Sequence, residues 1–341
     1  MPSFRYIAAA TVMATTVAFA PAVSAQSTLE NVKKRGQLVC GVNGALPGFS
    51  FFNAVNEWEG LDVELCRAVA AAVLGDARKV EFVRTTAQER FEKLAAGAVD
   101  LLARNSTVTL QRTAGARVRH AAINFYDGQA FVVAKHRKID LLASLRGGAV
   151  CITKGTTHEA NMLAWFKSLE LTVTPLPFNT QEAMYEGFFG NQCVAVTADA
   201  TALASTLVRS GKAADYMMLP DIISKEPLGP FVRSDDLGWL DIVRWTHNTM
   251  IAAEEHELTR RNVDSKLQSN DPAVQALLGV VPGNGKALGL DEKWAYNIIK
   301  QVGNYSESYE RNVGARSALG FARGVNALWT KGGLMYPLPQ R

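Results

Sequence analysis

The sequence predicts an α/β protein of two lobes, each built on a parallel or mixed sheet flanked by helices and joined by two extended crossover strands that form a hinge. Three observations carry this. Short apolar runs alternate with helical patterns twice, over residues 38–103 and again over 149–197. Extended apolar segments at 126–133 and 228–233 lie between and after these halves. Hydroxyl, amide and charged residues cluster just past the strands, where open α/β sheets take their ligands.

The elements follow from local pattern. Leu38 to Val42 reads as a strand. From Leu61 to Leu74, Leu65, Val69, Ala72 and Val73 share one helical face, and Gly75 can end the helix. Val80 to Val83 is a second strand. Thr86-Ala87-Gln88-Glu89 is a capping box opening a helix with Phe91, Leu94 and Ala95 inward and Gly97 at its end. Val99 to Ala103 is a third strand. The second half repeats this order: strand Ala149 to Thr153, a helix from Thr156 and Thr157 carrying Met162, Leu163 and Phe166, and strand Leu171 to Leu176. A helix capped by Thr180 with Met184 and Phe188, strand Cys193 to Thr197 and a helix from Asp199 complete it. The architecture repeats and the sequence does not. Later helices are expected over Leu237 to Glu254 and Thr259 to Gln268, with a loop at Pro282 to Gly289. The lobes then comprise residues 26–128 with 232–341, and 129–231.

Arg5, the apolar run Ile7 to Ala20 and Pro21-Ala22-Val23-Ser24-Ala25 form a secretory leader cut after Ala25. Its apolar part is shorter than the roughly 20 residues a spanning helix needs. The mature chain is therefore expected to be exported and soluble. The formal net charge is +4, of which Arg5 in the leader supplies one. So small a bias argues against nucleic acid or an anionic membrane as partner, and Lys33-Lys34-Arg35 reads as the solvated end of a first helix. The four cysteines meet an oxidising compartment, so two disulfides are the default. Of three possible pairings, Cys40–Cys66 and Cys151–Cys193 keep each bridge within one lobe. No metal-ligand spacing involves them.

The stretch Arg104-Asn105-Ser106-Thr107-Val108-Thr109-Leu110-Gln111-Arg112 follows a buried strand. The Arg112 guanidinium can hold a carboxylate by two parallel hydrogen bonds, which lysine cannot do. It can equally be a solvated helix arginine like Arg117 and Arg119. Thr109 can cap a helix here, and Asn105 and Thr107 alternate along an extended segment onto one face. Asp199, after a strand, can cap the next helix or receive an ammonium. Thr156 and Thr157, after Gly155, can offer donors at a helix start. Nothing forms a catalytic set: the five histidines are scattered, and there is no GxSxG elbow, Walker loop or GxGxxG after a strand. No metal or cofactor is expected.

Taken in order, several motifs resemble the periplasmic solute-binding proteins that deliver polar amino acids to ABC transporters. They are Gly60-Leu61-Asp62-Val63-Glu64-Leu65-Cys66-Arg67-Ala68, Ala96-Gly97-Ala98-Val99-Asp100-Leu101, the Thr107-to-Arg112 spacing, Gly155-Thr156-Thr157 and Glu226-Pro227-Leu228-Gly229. Asn304 to Gly314, Arg323 to Trp329 and Gly332-Gly333-Leu334 resemble the extension of the general L-amino-acid-binding subgroup. The resemblance implies the type II periplasmic-binding-protein fold and a soluble monomer that closes on an L-amino acid, broad in range with polar and acidic side chains favoured, and presents it to an inner-membrane permease. It implies that Arg112 clamps the α-carboxylate, helped by Asn105, Thr107, Thr156 and Thr157, and that Asp199 takes the α-ammonium. Relatives specialised for lysine, arginine or histidine carry aspartate where Asn43 stands and tyrosine where Leu46 stands, so a neutral Asn43 fits a permissive pocket. Phe49, Phe51, Phe52 and Trp58 could line that pocket or pack the first lobe. The competing class is a periplasmic enzyme on the same two-lobed fold, a dehydratase or deaminase of a small acid, with His158 or Glu159 as general acid or base. A sensor domain is a third class, expected to bring a membrane segment and a cytoplasmic module.

Overall fold

Glycines end the first two helices, and apolar runs around them become strands. The structure, a computed structural model, describes residues 27–340; the leader expected over 1–25 lies outside them. α1 (Thr28–Arg35) opens on a Ser27–Glu30 capping box and stops at Gly36, whose φ of 72° is left-handed. β1 (Leu38–Val42) follows, then a small hairpin of β2 (Phe51–Phe52) and β3 (Trp58–Glu59), and α2 (Leu61–Leu74). Gly60 is required at the head of α2: its φ is +129°, and a Cβ there would sit 2.0 Å from Phe49 O. Next come β4 (Val80–Arg84), α3 (Arg90–Ala95), β5 (Leu101–Thr107), α4 (Leu110–Gly115), β6 (Val118–His120), β7 (Phe125–Asp127) and β8 (Gln129–Ala134). The second half supplies β9 (Ala149–Thr153), α5 (His158–Ser168), β10 (Thr174–Phe178), α6 (Gln181–Phe189), β11 (Ala195–Asp199), α7 (Ala200–Arg209), β12 (Tyr216–Met218) and β13 (Glu226–Arg233). The chain ends with α8 (Leu237–Glu255), α9 (Val263–Lys266), α10 (Pro272–Leu277), α11 (Asn284–Leu288), α12 (Trp294–Gln301) and α13 (Tyr305–Asn312).

Two mixed sheets result. The first runs β4-β1-β5-β13-β6, with β7 also on β13. β1 is parallel to β4 and β5, and β13 returns antiparallel to β5, β6 and β7. The second runs β10-β9-β11-β8-β12, with β8 antiparallel to β11 and β12. β10 contains Pro175 and Pro177, which lack ladder donors, and it lies at the sheet edge where that is tolerated. Helices cover both sheets. The largest core packs α2 against α8, α12 and α13 around Trp239, Trp294, Tyr305 and Tyr309. Each apolar side chain buried there contributes about 1.5–3 kcal/mol before chain entropy is charged against it. The disulfides are Cys40–Cys66 and Cys151–Cys193, whose partners are separated by 26 and 42 positions in the chain. Loops of that size correspond to about 3.5–4 kcal/mol each in the chain-entropy account.

Several boundaries depart from the sequence reading. β5 runs to Thr107, so Asn105 and Thr107 are in the strand and not beyond it. β10 starts three residues after Leu171, because the Leu171 N–H instead caps α5 by donating to Phe166 O. β11 extends to Asp199, which pairs with Gln129. The helix expected from Thr259 shrinks to α9, since the Thr259 and Asn262 side chains cap each other's backbone N–H and hold a turn. The loop expected at Pro282 to Gly289 contains α11, whose first N–H groups at Gly283, Gly285 and Lys286 are collected by the Glu292 carboxylate. Of the apolar residues on α5, Met162 and Phe166 are buried and Leu163 is 41% exposed. No helix of the described residues is long and apolar enough to cross a membrane.

Candidate functional site

The carboxyl ends of β5, β9 and β11 and the start of α5 converge on one cavity between the two sheets. It offers about 40 Å³ to the centre of a water molecule. All seven residues singled out from the sequence line it: Asn43, Asn105, Thr107, Arg112, Thr156, Thr157 and Asp199.

Arg112 sits in the first turn-and-a-half of α4, which Thr109 caps by accepting the Arg112 N–H at 3.2 Å. Its Nη1 donates to Thr107 O at 2.8 Å, and its guanidinium lies 5.4 Å from the Phe91 ring centroid. This holds one edge of the fork and leaves Nε and Nη2 for a ligand. Asp199 stands at the N-cap of α7 yet makes no capping bond. Its carboxylate turns into the cavity, taking a hydrogen bond from His158 Nε2 at 3.0 Å and one from Asn105 Nδ2 at 3.3 Å. The capping reading of Asp199 is therefore wrong, and His158 is a support for it that the sequence reading placed only in the enzyme alternative.

Asn105 adopts φ +34°, a left-handed value that asparagine tolerates better than most residues. Its backbone N–H is fixed by the buried Asp62 carboxylate at 2.8 Å. Burial pushes the Asp62 carboxyl up to about 6. Asn43 Nδ2 bridges Asn105 Oδ1 at 3.3 Å and Gln181 Oε1 at 3.2 Å. The hydroxyls differ from the sequence picture. Thr107 donates to Glu226 Oε2 at 2.5 Å, Thr157 donates to the same oxygen at 3.0 Å, and Thr156 donates to Thr153 O at 2.7 Å. Their protons are spent on protein, so toward a ligand these hydroxyls can only accept.

Three functional candidates escaped the sequence reading. Arg104 and Arg90 also line the cavity, both buried. Arg104 Nε donates to Thr85 O at 2.9 Å. Arg90 donates to Ala87 O at 2.7 Å and, across the cleft, to Gly155 O at 3.2 Å, while its buried Nε has no partner among the described residues. Desolvation holds all three arginines below their ordinary range, Arg104 at about 10, and neighbouring guanidiniums add to the lowering at Arg90 and Arg104. The third is Glu226 on the return strand, which also accepts from Asn161 and Ser224 at 2.7 and 2.6 Å. A signal for Arg104 existed: an arginine closing an apolar strand invites the question of what buries it. Phe49, Phe52 and Trp58 are packing residues, with Phe49 on Phe125 at 5.2 Å and Phe52 on Trp58 at 4.1 Å; neither they nor Phe51 line the cavity. Glu159 does not line it either. No group of three or more potential metal ligands occurs among the described residues.

Comparison with known proteins fits this geometry. The chain is 45% identical over 316 residues to the glutamate/glutamine/aspartate/asparagine-binding protein of Rhodobacter capsulatus, covering 92% of this chain and 94% of that one. It is 40% identical to the general L-amino acid-binding periplasmic protein of Rhizobium johnstonii, over 97% and 98% of the two chains. A solved periplasmic binding protein of an ABC transporter from Brucella ovis, with glutathione bound, superposes with a TM-score of 0.90 at 42% identity, covering 93% of this chain and all of that one. The two-lobed fold of periplasmic binding proteins is thus shared, and these relatives are solute-binding proteins of transporters and not enzymes. Residues 38–313 match the bacterial extracellular solute-binding proteins, family 3, and the chain belongs to that family.

Proposed function

We propose that the chain is the substrate-binding component of an ABC importer for L-amino acids, broad in range and favouring polar and acidic side chains. The carrying observation is the charge balance of the cavity: three guanidiniums, the buried Arg90 and Arg104 and the half-buried Arg112, face one lining carboxylate, Asp199. Arg112 and Asp199 take the α-carboxylate and α-ammonium of a zwitterion. Either group alone would leave a buried charge unpaired, so simple amines and simple acids are rejected. Asn43, Asn105, Thr107, Thr156 and Thr157 complete the head-group contacts. The two remaining guanidiniums favour an anionic or strongly accepting side chain. The Rhodobacter and Rhizobium proteins, named for amino acids, support this reading, and the Brucella protein's glutathione has a free amino-acid head.

The rest follows from that role. The leader at 1–25 sends the chain to the periplasm. Lobe 1, residues 26–128 and 232–341, and lobe 2, residues 129–231, close about the crossovers, because the ligand binds the closed state better than the open one. A monomer in the closed form then docks on an inner-membrane permease. Calorimetric titration of the ligand-stripped mature protein with the twenty L-amino acids tests this. Several polar and acidic amino acids bind, and Arg112→Ala and Asp199→Ala each weaken them roughly a hundredfold or more. No binding by the wild type would refute the amino-acid assignment.

A further inference from the structure

The head-group cavity does not end where the amino-acid head ends. A second chamber of about 170 Å³ adjoins it, some four times larger. The two share Asn43, Ala87, Arg104, Thr153 and Gln181 as common wall. Arg112, Asp199, Thr107 and Thr157 line the inner cavity alone. The groups that would hold the α-carboxylate and α-ammonium thus line the inner cavity and not the second chamber. Within that shared wall Asn43 Nδ2 donates to Gln181 Oε1 at 3.2 Å. A contact between two neutral amides is cheap to rearrange, because a ligand amide can replace either partner. The chamber carries both signs, with Arg84 and Arg104 against Glu89 and Glu182. Arg84 Nη2 meets Glu182 Oε1 at 2.9 Å, on side chains 55% and 50% exposed.

We propose that this chamber is a subsite for ligands extended through their side chain, and that γ-glutamyl amides are a second substrate class. The proposal rests on the head-group reading given above. Peptides linked through the α-carboxyl lack the carboxylate that Arg112 holds. A γ-linked glutamyl compound keeps both α groups free. It sends a neutral amide past Asn43 and Gln181, which can donate to its oxygen and accept its N–H. The carboxylate of the following residue then reaches Arg84, at the outer end of the chamber, in exchange for Glu182.

The isomers γ-L-glutamylglycine and α-L-glutamylglycine separate this from simple amino-acid binding, with L-glutamate as the control, in titrations of the mature wild type, Arg84→Ala and Asn179→Trp. Asn179 is exposed on the wall of the second chamber alone, so tryptophan there fills it without disturbing the core. The expected result is binding of the γ isomer within about tenfold of glutamate and none of the α isomer. Each variant then weakens the γ isomer roughly tenfold more than it weakens glutamate. Binding of glutamate with none of the γ isomer overturns the second subsite and leaves the head-group reading standing. Equal binding of the two isomers, or variants that weaken glutamate as much as the γ isomer, also overturns it. Failure of glutamate itself refutes the head-group reading.

Discussion

The cleft is closed by two seams of opposite character. At the crossover end, Glu226 is 1% exposed and accepts hydrogen bonds from Thr107 on the first sheet, Thr157 and Asn161 at the start of α5, and Ser224. Hydroxyls and amides surround this carboxylate, and among the described residues no cation forms a salt bridge with it. At the mouth, Arg84 meets Glu182 in water, and Gln88 Nε2 donates to Asn179 O at 3.1 Å. Exposed pairs of this kind contribute about 0–1 kcal/mol. The inner seam therefore fixes how the lobes meet, while the outer one latches them only lightly. A binding protein needs that asymmetry: a stiff axis sets the closed geometry, and the ligand, not the latch, decides whether closure persists.

Breaking the inner seam should give the largest effect. Glu226→Ala removes one acceptor and leaves the Thr107 and Thr157 hydroxyls and the Asn161 amide without it. An expected loss of about 4 kcal/mol in unfolding free energy follows from orphaning several buried donors together. Urea titration reads it as a lower midpoint at unchanged slope. Glu226→Gln retains the shape and should recover about half of that loss. A Glu226→Ala variant as stable as wild type would show that the seam is not structural.

Glu226 also shows what the sequence could and could not disclose. β1, α2 and β9 were readable to the residue, because strands buried on both faces are continuous apolar runs and α2 is bracketed by Gly60 and Gly75. Arg112, Asp199 and the threonines were readable as candidates, since strand ends are where such folds bind. The role of Glu226 is not local. Its partners Thr107 and Thr157 lie 119 and 69 residues away in the chain, and only the folded crossover brings them to one carboxylate. Asp199 was ambiguous for the opposite reason. Its neighbours supply every feature of a helix cap, and His158, 41 residues away, turns it into the cleft instead.

The strand beside the inner seam carries the next effect, which depends on pH. Burial, more than any neighbour, raises the Asp62 carboxyl from 3.8 to about 6, against the hydrogen bond from Asn105 that favours its charge. The folded protein thus keeps this proton between about pH 4 and pH 6, where the unfolded chain has released it. The contribution is complete below pH 4 and is lost as pH rises through 6. Asp62→Asn keeps an acceptor for the Asn105 N–H and has no proton to lose. Its stability relative to wild type should rise by on the order of 2 kcal/mol between pH 4 and pH 7. A pH-independent difference would place the Asp62 charge in contact with solvent.

Between the two seams, Gly155 sets how tightly the lobes meet. Its φ is +76°, and a Cβ there would lie 3.1 Å from Ala87 O and 3.2 Å from Gln88 Cα on the facing lobe. Gly155→Ala adds about 1 kcal/mol of backbone strain in every state. Only in the closed state does it press on Ala87 and Gln88, so glutamate affinity should fall about tenfold, beyond what the loss of stability explains. Unchanged affinity with lowered stability would mean that closure tolerates a wider gap at this point.

The smallest effect belongs to the mouth. Because Arg84 and Glu182 are half exposed, water already solvates each charge in the open form, and closure exchanges good hydration for a screened attraction. Glu182→Gln should therefore change glutamate affinity by less than about threefold at physiological salt, and the difference should vanish as salt is raised toward 1 M. A salt-insensitive loss of tenfold or more would mean that the pair is desolvated on closure. The outer seam would then resemble the inner one, and the latch would be part of the energy that holds the ligand.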